Sequence, residues 1–145
     1  MKTEHRIFVN GIPKAQPRPR MASNGHVYNP DSADAWKEEI KAAFIANRTK
    51  QITEPVHLKV YFFMPVPKGM KIERKNDRYV PHIKKPDTDN LLKAVMDAMT
   101  EAWVWKDDAL VYWTEAAKFY ASDTTGAEII VETLEKRLPL ARRKL

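Results

Sequence analysis

Two pairs of acidic residues flank one predicted helix, and their chemistry is the most informative feature of this sequence. Asp87 and Asp89 lie at the start of a segment, Thr88 to about Trp103, whose apolar residues recur at helical spacing. Asp107 and Asp108 follow that segment in a predicted turn. Carboxylate oxygens bind Mg²⁺ in proteins, and the bound ion keeps several waters and accepts phosphate oxygens. The pattern therefore indicates a divalent-cation site that acts on a phosphate ester.

The same residues also allow a structural interpretation. An aspartate at a helix start often only caps the helix, and Asp89 with Lys93 can be an ordinary i,i+4 ion pair. Asp107 and Asp108 favour the functional interpretation, because adjacent carboxylates repel one another unless a cation or separate hydrogen bonds compensate. Lys93 and Asp97 share a helix face with Asp89, and from there the Lys93 ammonium group would reach a bound phosphate.

The elements that must position these residues follow the pattern β-α-β-α-β-β. This order predicts a single α+β domain, α/β-like, with a mixed sheet and two main helices. The predicted strands are Arg6–Ile12, Val56–Met64, Ala109–Tyr120 and Ala127–Leu134, with the last two joined as a hairpin. The first helix is expected to run from Asp31 or Ser32 to about Arg48. We expect the domain to span residues 1–138 and a basic tail to cover 139–145.

The charge distribution adds a candidate binding surface. The chain has 25 Lys and Arg residues against 19 Asp and Glu residues, which gives a net charge of +6. Bases outnumber acids in residues 1–30, 68–85 and 136–145. Clustered positive charge is typical of proteins that bind a phosphate backbone, although solvated loops and a basic tail give the same pattern. The candidate DNA-binding residues are Lys14, Arg18, Arg20, Lys84 and Lys85.

Several classes of protein and site are disfavoured. The sequence contains no cysteine and no close pair of histidines, which argues against a zinc site. It has no apolar run of about 18 residues and no signal-peptide pattern, so we expect a cytoplasmic protein with no membrane partner. No glycine-rich phosphate loop is present, which weakens a nucleotide-hydrolysing alternative.

The aromatic and histidine residues near the acidic segments are weaker candidates. For Trp105 the sequence does not decide between stacking on an unpaired base and a structural position. Trp103 is expected in the core. His57 opens an apolar strand and is expected to be structural. His82 lies among bases, where a loop position is favoured over a DNA contact.

The central motif carries a family resemblance. The pattern K-P-D-T-D-N-L-L-K-A-V-M-D-A at Lys85–Ala98, followed by W-K-D-D-A at Trp105–Ala109, resembles the RusA family of Holliday-junction resolvases. The loop Pro17–Arg20, followed by Tyr28 and Pro30, is similar to a stretch common in the phage and Gram-positive branch of that family. The resemblance extends from about Gly11 to Glu132.

This resemblance implies a bacterial or phage-encoded homodimer that cuts four-way DNA junctions by paired symmetric nicks in recombination and repair. The implied cofactor is Mg²⁺ or Mn²⁺, with no small-molecule cofactor. Asp87, Asp89 and Asp108 would be the catalytic, metal-binding carboxylates, and Lys93 a catalytic or phosphate-contacting base. Asp97 also matches the family motif, and its role stays open. A two-fold dimer suits a junction because such a dimer presents two equivalent sites to two equivalent strands.

Two alternatives remain at this point. The chain could be another Mg²⁺-dependent phosphohydrolase that acts on a smaller substrate. It could also be a non-catalytic DNA-binding module in which the acidic residues only shape the fold. The second alternative needs a further reason for acidic residues that face DNA, because carboxylates repel phosphate unless a metal ion intervenes.

Overall fold

The computed structural model describes residues 2–17, 20–21, 23–25, 27–28, 33–47, 50–71 and 79–134 of the chain. For residues 2, 20, 21, 27 and 28 it describes the backbone alone. Arg18 and the predicted basic tail 139–145 lie outside the described residues.

The chain folds into one α+β domain with a mixed sheet, as predicted. Its strands are β1 (Lys2–Asn10), β2 (Arg20–Met21), β3 (Val27–Tyr28), β4 (Val56–Met64), β5 (Val111–Tyr120) and β6 (Gly126–Leu134). The helices are α1 (Asp34–Ala46) and α2 (Thr88–Glu101), and a 3₁₀ turn covers Asp108–Leu110. β2 and β3 form a small antiparallel sheet of their own, in a stretch where the sequence predicts only a loop.

The main sheet has the strand order β1-β6-β4-β5. β4 and β5 are parallel, whereas β6 pairs antiparallel with both β1 and β4. The predicted hairpin between the last two strands is therefore wrong, although their connection is short. β6 is buried on both faces over much of its length, which favours a central position, and the first half of β5 is largely exposed, which favours an edge.

The core lies between one face of this sheet and the two helices. Val56, Leu58, Val60 and Phe62 alternate along β4 and are fully buried on that face. α2 packs against them with its apolar side, which comprises Leu91, Ala94, Val95, Ala98 and Met99. Because this apolar side of α2 faces the core, the polar side of the helix, with Asp89 and Lys93, remains exposed.

The opposite face of the main sheet carries ion pairs and aromatic rings. Arg6 contacts Glu128, and Lys59 contacts Glu132, at 2.7 and 2.9 Å. His57 donates or accepts hydrogen bonds with Glu115 and Glu132, which confirms its structural position. Among the described residues, no helix is long and apolar enough to cross a membrane.

Candidate active site

The start of α2 presents two exposed carboxylates. Asp87 is the N-cap residue, and its backbone carbonyl accepts a hydrogen bond from the N–H of Leu91 at 3.1 Å. Its side chain makes no capping hydrogen bond. Among the described residues, the Asp89 carboxylate accepts the N–H of Asn90 at 2.9 Å and no other hydrogen bond, and none of these residues forms an ion pair with either aspartate. Neither side chain is thus needed to cap α2, which weakens the structural interpretation of the pair.

Lys93 lies one helical turn further along the same exposed side. Its Nζ contacts the Oδ1 of Asp97 at 3.2 Å rather than pairing with Asp89. The lysine side chain is 61% exposed and that of Asp97 is 27% exposed. Because an exposed i,i+4 pair contributes only a few tenths of a kcal/mol, about 0.3–0.5, the ammonium group can leave Asp97 for a phosphate at little cost.

A further lysine, Lys118, which the sequence did not indicate, holds the segment just before Asp87. Lys118 lies on the helix-covered face of β5, and its Nζ donates to the backbone carbonyl of Pro86 at 2.7 Å and to that of Lys84. The Lys85–Pro86 peptide bond in this segment is cis. The Lys118 ammonium group therefore fixes the path of the chain into the N-cap of α2.

Three of the predicted basic residues, Lys14, Lys84 and Lys85, belong to segments at this same end of the domain. Lys84 and Lys85 are exposed directly before Asp87. The loop that carries Lys14 is attached to the start of α2 by a 3.1 Å hydrogen bond from the N–H of Gln16 to the carbonyl of Asn90. Arg20 continues that loop as part of β2, where only its backbone is described.

Asp108 lies toward the other end of the same layer. It begins the 3₁₀ turn that leads into β5, and Val111 at the start of β5 pairs with Val56 at the start of β4. Lys118, which holds Pro86, lies near the far end of β5. The 14 residues of α2 span about 21 Å. One chain therefore brings Asp87, Asp89 and Lys93 together but leaves Asp108 about one helix length away.

The neighbouring Asp107 has a structural partner. Its side chain caps the 3₁₀ turn by accepting the N–H of Ala109 at 2.9 Å. This separate hydrogen bond accounts for one carboxylate of the Asp107–Asp108 pair without a cation.

The donor set at the start of α2 fits a hard divalent cation only in part. Exposed carboxylate oxygens without cationic partners are suitable ligands for Mg²⁺ or Mn²⁺, and Mg²⁺ is commonly held by one or two carboxylates plus phosphate oxygens. Within the described residues, however, no group of three or more His, Cys, Asp or Glu side chains could hold a metal. Asp87 and Asp89 could thus supply two ligands at most, and their metal-binding role stays a prediction.

The expected position of Trp103 is reversed in the structure, and the open question of Trp105 has an answer. Trp103 is 68% exposed and lies beyond the end of α2 with a φ of 61°, so its predicted core position is wrong. Trp105 is fully buried, and its Nε1 donates to the Oγ1 of Thr100 at 2.7 Å, which excludes stacking on DNA in this conformation. The indole N–H explains the burial of Trp105, because Thr100 on α2 gives it the hydrogen-bond partner that a buried indole requires.

His82 is buried beside the Lys118 contact. Its N–H donates to the backbone carbonyl of Lys118 at 3.1 Å, and its ring packs against that of Tyr120. Burial lowers the pKa of His82, and the positive charges of Lys118 and Lys84 lower it further. The Nδ1 atom of His82 has no hydrogen-bond partner among the described residues.

Comparison with known proteins decides the family. The sequence model of the family described as "Endodeoxyribonuclease RusA" matches residues 10–132, which include every residue of this candidate site. The chain belongs to the RusA family. It is 33% identical over 127 residues to the protein YqaN of Bacillus subtilis (strain 168), covering 81% of this chain and 89% of YqaN. It is 28% identical over 122 residues to the crossover junction endodeoxyribonuclease rusA of Lactococcus phage r1t, covering 81% and 88% of the two chains.

RusA-family membership gives the chain the class of a nuclease, that is, a hydrolase of phosphodiester bonds. The matched region begins at the last residue of β1 and ends within β6, so it includes both helices, β4, β5 and most of β6. The RusA-type motif at Asp87, Asp89 and Lys93 occupies the exposed start of α2, as the sequence analysis predicted for that helix. The catalytic role of these residues stays a prediction.

Proposed function

We propose that this protein is a metal-dependent endonuclease that resolves four-way DNA junctions by paired symmetric nicks in recombination and repair. The observation that carries the proposal is the exposed group of Asp87, Asp89 and Lys93 at the start of α2, next to the bases of the preceding segment. The crossover junction endodeoxyribonuclease among its relatives supports the choice of substrate.

The electrostatics at this end of the domain suit DNA. Lys84 and Lys85 are exposed directly before the two carboxylates, and Lys14 is exposed on the loop attached to Asn90, so a DNA backbone would meet positive charge beside the acidic group. Contacts of this kind position the duplex without reading its bases, which suits an enzyme that recognises a branched shape. Arg18 and Arg20 would extend the same surface along the loop after β1.

In the proposed mechanism the chain supplies metal ligands, a positive charge for the phosphate and a lysine that holds the segment before Asp87 in place. Asp87 and Asp89 would hold Mg²⁺ or Mn²⁺, whereas Asp108, the predicted third carboxylate, lies too far away in one chain to reach the same ion. The bound ion would lower the pKa of a water molecule and neutralise charge on the phosphate. Lys93 would move from Asp97 to a non-bridging oxygen of the scissile phosphate and stabilise the charge that develops there. Lys118 would hold the segment that carries Asp87 in place during the reaction.

We also propose that the active form is a homodimer. Resolution of a junction needs two coordinated nicks in strands of like polarity, and a two-fold dimer provides two identical sites related by the symmetry of the substrate. A monomer with one site would release a nicked junction after each encounter.

A synthetic four-way junction tests the proposal directly. We expect the wild-type protein to convert it into two linear nicked duplexes in Mg²⁺ or Mn²⁺ and to leave it intact in EDTA. Asp89→Asn should abolish cleavage, whereas Asp34→Asn, which changes an exposed aspartate in the first turn of α1, should cleave normally. Cleavage in EDTA, or normal cleavage by folded Asp89→Asn, contradicts the proposed site. Junction binding without cleavage in any metal would favour a non-catalytic DNA-binding module.

A further inference from the structure

The turn that ends α2 holds a tryptophan where the backbone favours glycine. Trp103 has a φ of 61°, in the left-handed region that residues with a side chain rarely adopt. Its N–H donates to the carbonyl of Thr100, and the N–H of Val104 donates to that of Met99, both at 3.0 Å. These two bonds define the helix-ending motif in which glycine is usual at the position of Trp103. A tryptophan therefore lowers the stability of this turn relative to glycine.

Packing within the chain does little to offset this loss of stability. Trp103 is 68% exposed, whereas Val104 packs against the core and Trp105 is fully buried. An aromatic side chain that stays mostly in water gains little free energy from burial. A strained and exposed aromatic residue indicates a function outside the folding of the domain.

A neighbouring segment holds the turn in place. The N–H of Ile52 donates to the carbonyl of Val104 at 2.8 Å, and the side-chain amide of Gln51 donates to the carbonyl of Trp103 at 3.4 Å. Ile52 also forms a parallel β-bridge with Trp105. The exposed indole thus projects from a fixed backbone, and an aromatic ring held in this way loses little conformational entropy when it binds a partner.

Basic side chains flank the exposed indole. Lys50 precedes the segment that holds the turn, and Lys106 follows the turn, and both are exposed. The acidic residue at the end of α2, Glu101, contacts Lys37 and Lys41 at 3.2 and 3.6 Å, so its charge is compensated. An aromatic ring between lysines is typical of surfaces that bind nucleic acid, where bases stack on the ring and ammonium groups meet the backbone.

These neighbours favour DNA over a protein partner. The core of a protein interface is depleted in lysine, whereas Lys50 and Lys106 lie on the two segments that meet at this turn. Asp107 is also exposed, but its side chain already accepts the N–H of Ala109 in capping the 3₁₀ turn. The surroundings of the indole therefore suit a ligand that combines flat aromatic groups with negative charge.

The position of Trp103 suits a bound four-way junction. α2 spans about 21 Å between the predicted carboxylates at its start and the turn beyond its end. Successive nucleotides of a DNA strand are about 3.4 Å apart along the helix axis, so this distance corresponds to about six base steps. DNA that is cut beside Asp87 could therefore reach Trp103. An open junction offers a suitable base there, because base pairs at its crossover lack a stacking neighbour on one side.

We propose that Trp103 is a DNA-binding residue whose indole stacks on a base face exposed at the crossover of a four-way junction. The inference rests on the proposed function and adds a residue that distinguishes a branched from an unbranched substrate. An intact duplex exposes base faces only at its ends, so the contact stabilises the complex with a junction and not that with a duplex. The strained turn lowers the stability of the fold but keeps the indole accessible to the DNA.

Trp103→Gly separates the two effects of this residue. Glycine relieves the left-handed strain, so we expect the melting temperature to stay unchanged or rise by up to about 4 °C. The indole is also lost, so the dissociation constant for a four-way junction in EDTA should rise about 5- to 100-fold. The dissociation constant for a linear duplex of equal length should change less than about twofold. Trp103→Phe should retain most of the junction binding, because phenylalanine keeps an aromatic face.

Trp113→Ala is the matched control. Trp113 is 51% exposed and stacks on His57, on the face of the sheet opposite the helices. Its removal should leave the ratio of junction to duplex binding unchanged. An equal change of this ratio in the Trp103 and Trp113 variants would overturn the proposal. A lower melting temperature of Trp103→Gly with equal loss of junction and duplex binding would make Trp103 a packing residue. A changed oligomeric state by light scattering, with an unchanged binding ratio, would make it a contact to a second copy of the chain; both results contradict the proposal.

Photo-crosslinking tests the contact in the wild-type protein. 5-Iodouracil, placed in turn at each position that flanks the crossover, should form an adduct with Trp103 on irradiation. Mass spectrometry would find this adduct in the tryptic peptide Ala94–Lys106, and it should be absent from Trp103→Gly. A complex that forms but gives no adduct in this peptide at any position overturns the contact. Binding and crosslinking are measured in EDTA, so a protein that binds and crosslinks a junction but cleaves it in no metal would contradict only the proposed nuclease function.

Discussion

Lys118 donates a 2.7 Å hydrogen bond from its Nζ to the carbonyl of Pro86, the residue immediately before Asp87. This contact links the edge strand of the sheet to the start of the helix that carries the predicted catalytic carboxylates. The lysine also donates to the carbonyl of Lys84, so a single ammonium group fixes both sides of Lys85.

Replacement of Lys118 by methionine should reduce junction cleavage without unfolding the protein. Methionine keeps the apolar stem but removes both hydrogen bonds, so Asp87 loses its fixed position, and we expect cleavage to fall about 10- to 100-fold. The measurement is the single-turnover cleavage rate at saturating protein, together with the melting temperature. Lys59→Met is the control, because Lys59 pairs with Glu132 on the opposite face of the sheet. Equal rates for the two variants would contradict a positioning role for Lys118.

Neutralisation of the carboxylates should separate DNA binding from cleavage. Asp87→Asn, Asp89→Asn and Asp108→Asn each remove a negative charge at nearly constant side-chain size. In EDTA we expect junction binding to stay the same or become tighter, because carboxylates repel phosphate in the absence of a cation. Cleavage in Mg²⁺ should fall by orders of magnitude. Lys93→Ala should stop cleavage without tightening the binding. Weaker binding in EDTA by folded aspartate variants would contradict the expected repulsion between these carboxylates and the DNA.

The segment before α2 should contribute to DNA binding rather than to the cleavage reaction. Lys85 is exposed beside Asp87, and Lys85→Ala should weaken binding to any DNA and reduce the salt dependence of the binding constant by about one counterion. Residual cleavage should persist at saturating protein. Titrations at several salt concentrations provide the measurement. Lys41→Ala serves as the control, because Lys41 pairs with Glu38 and Glu101 on the helical side. Loss of cleavage with unchanged affinity would reassign Lys85 to the active site.

His82 should make the stability of the fold sensitive to acid. Burial and the nearby Lys118 and Lys84 lower its folded-state pKa below the usual value of 6.5. The unfolded chain therefore binds this proton more readily, so the free energy of unfolding falls as the pH drops below about 6.5. His82→Phe keeps a ring against Tyr120 but cannot titrate, and its melting temperature should fall less between pH 7 and pH 5. Identical pH profiles for the two proteins would contradict this assignment.

The local elements of this fold can be predicted from the sequence because periodicity and capping reflect short-range physics. β4 begins and ends where its apolar run predicts, and α2 begins at Thr88 after the Pro86–Asp87 approach. The order of the strands in the sheet is harder to predict from the sequence. The short link between β5 and β6 favours a hairpin, and only the burial of β6 on both faces places it between β1 and β4.

The candidate site shows the same division between local and long-range information. The sequence motif brings Asp87, Asp89 and Lys93 together because all three belong to one helix start. It does not indicate Lys118, whose contact with Pro86 depends on the packing of β5 against that segment. A charged residue in the buried half of a strand was the available signal. Trp105, whose position the sequence leaves open, is the buried indole because the hydroxyl of Thr100 accepts its N–H, and sequence spacing does not specify this contact.

The pairing of β1 with β6 places Lys2 opposite Leu134, so the two ends of the described domain are neighbours. A short linker could therefore join these ends, and new termini could be opened in the exposed stretch after β4, near Gly69. Such a circular permutant would keep every strand pairing of the main sheet. It would also place a fused fluorescent protein near the start of α2, where it could report the arrival of DNA.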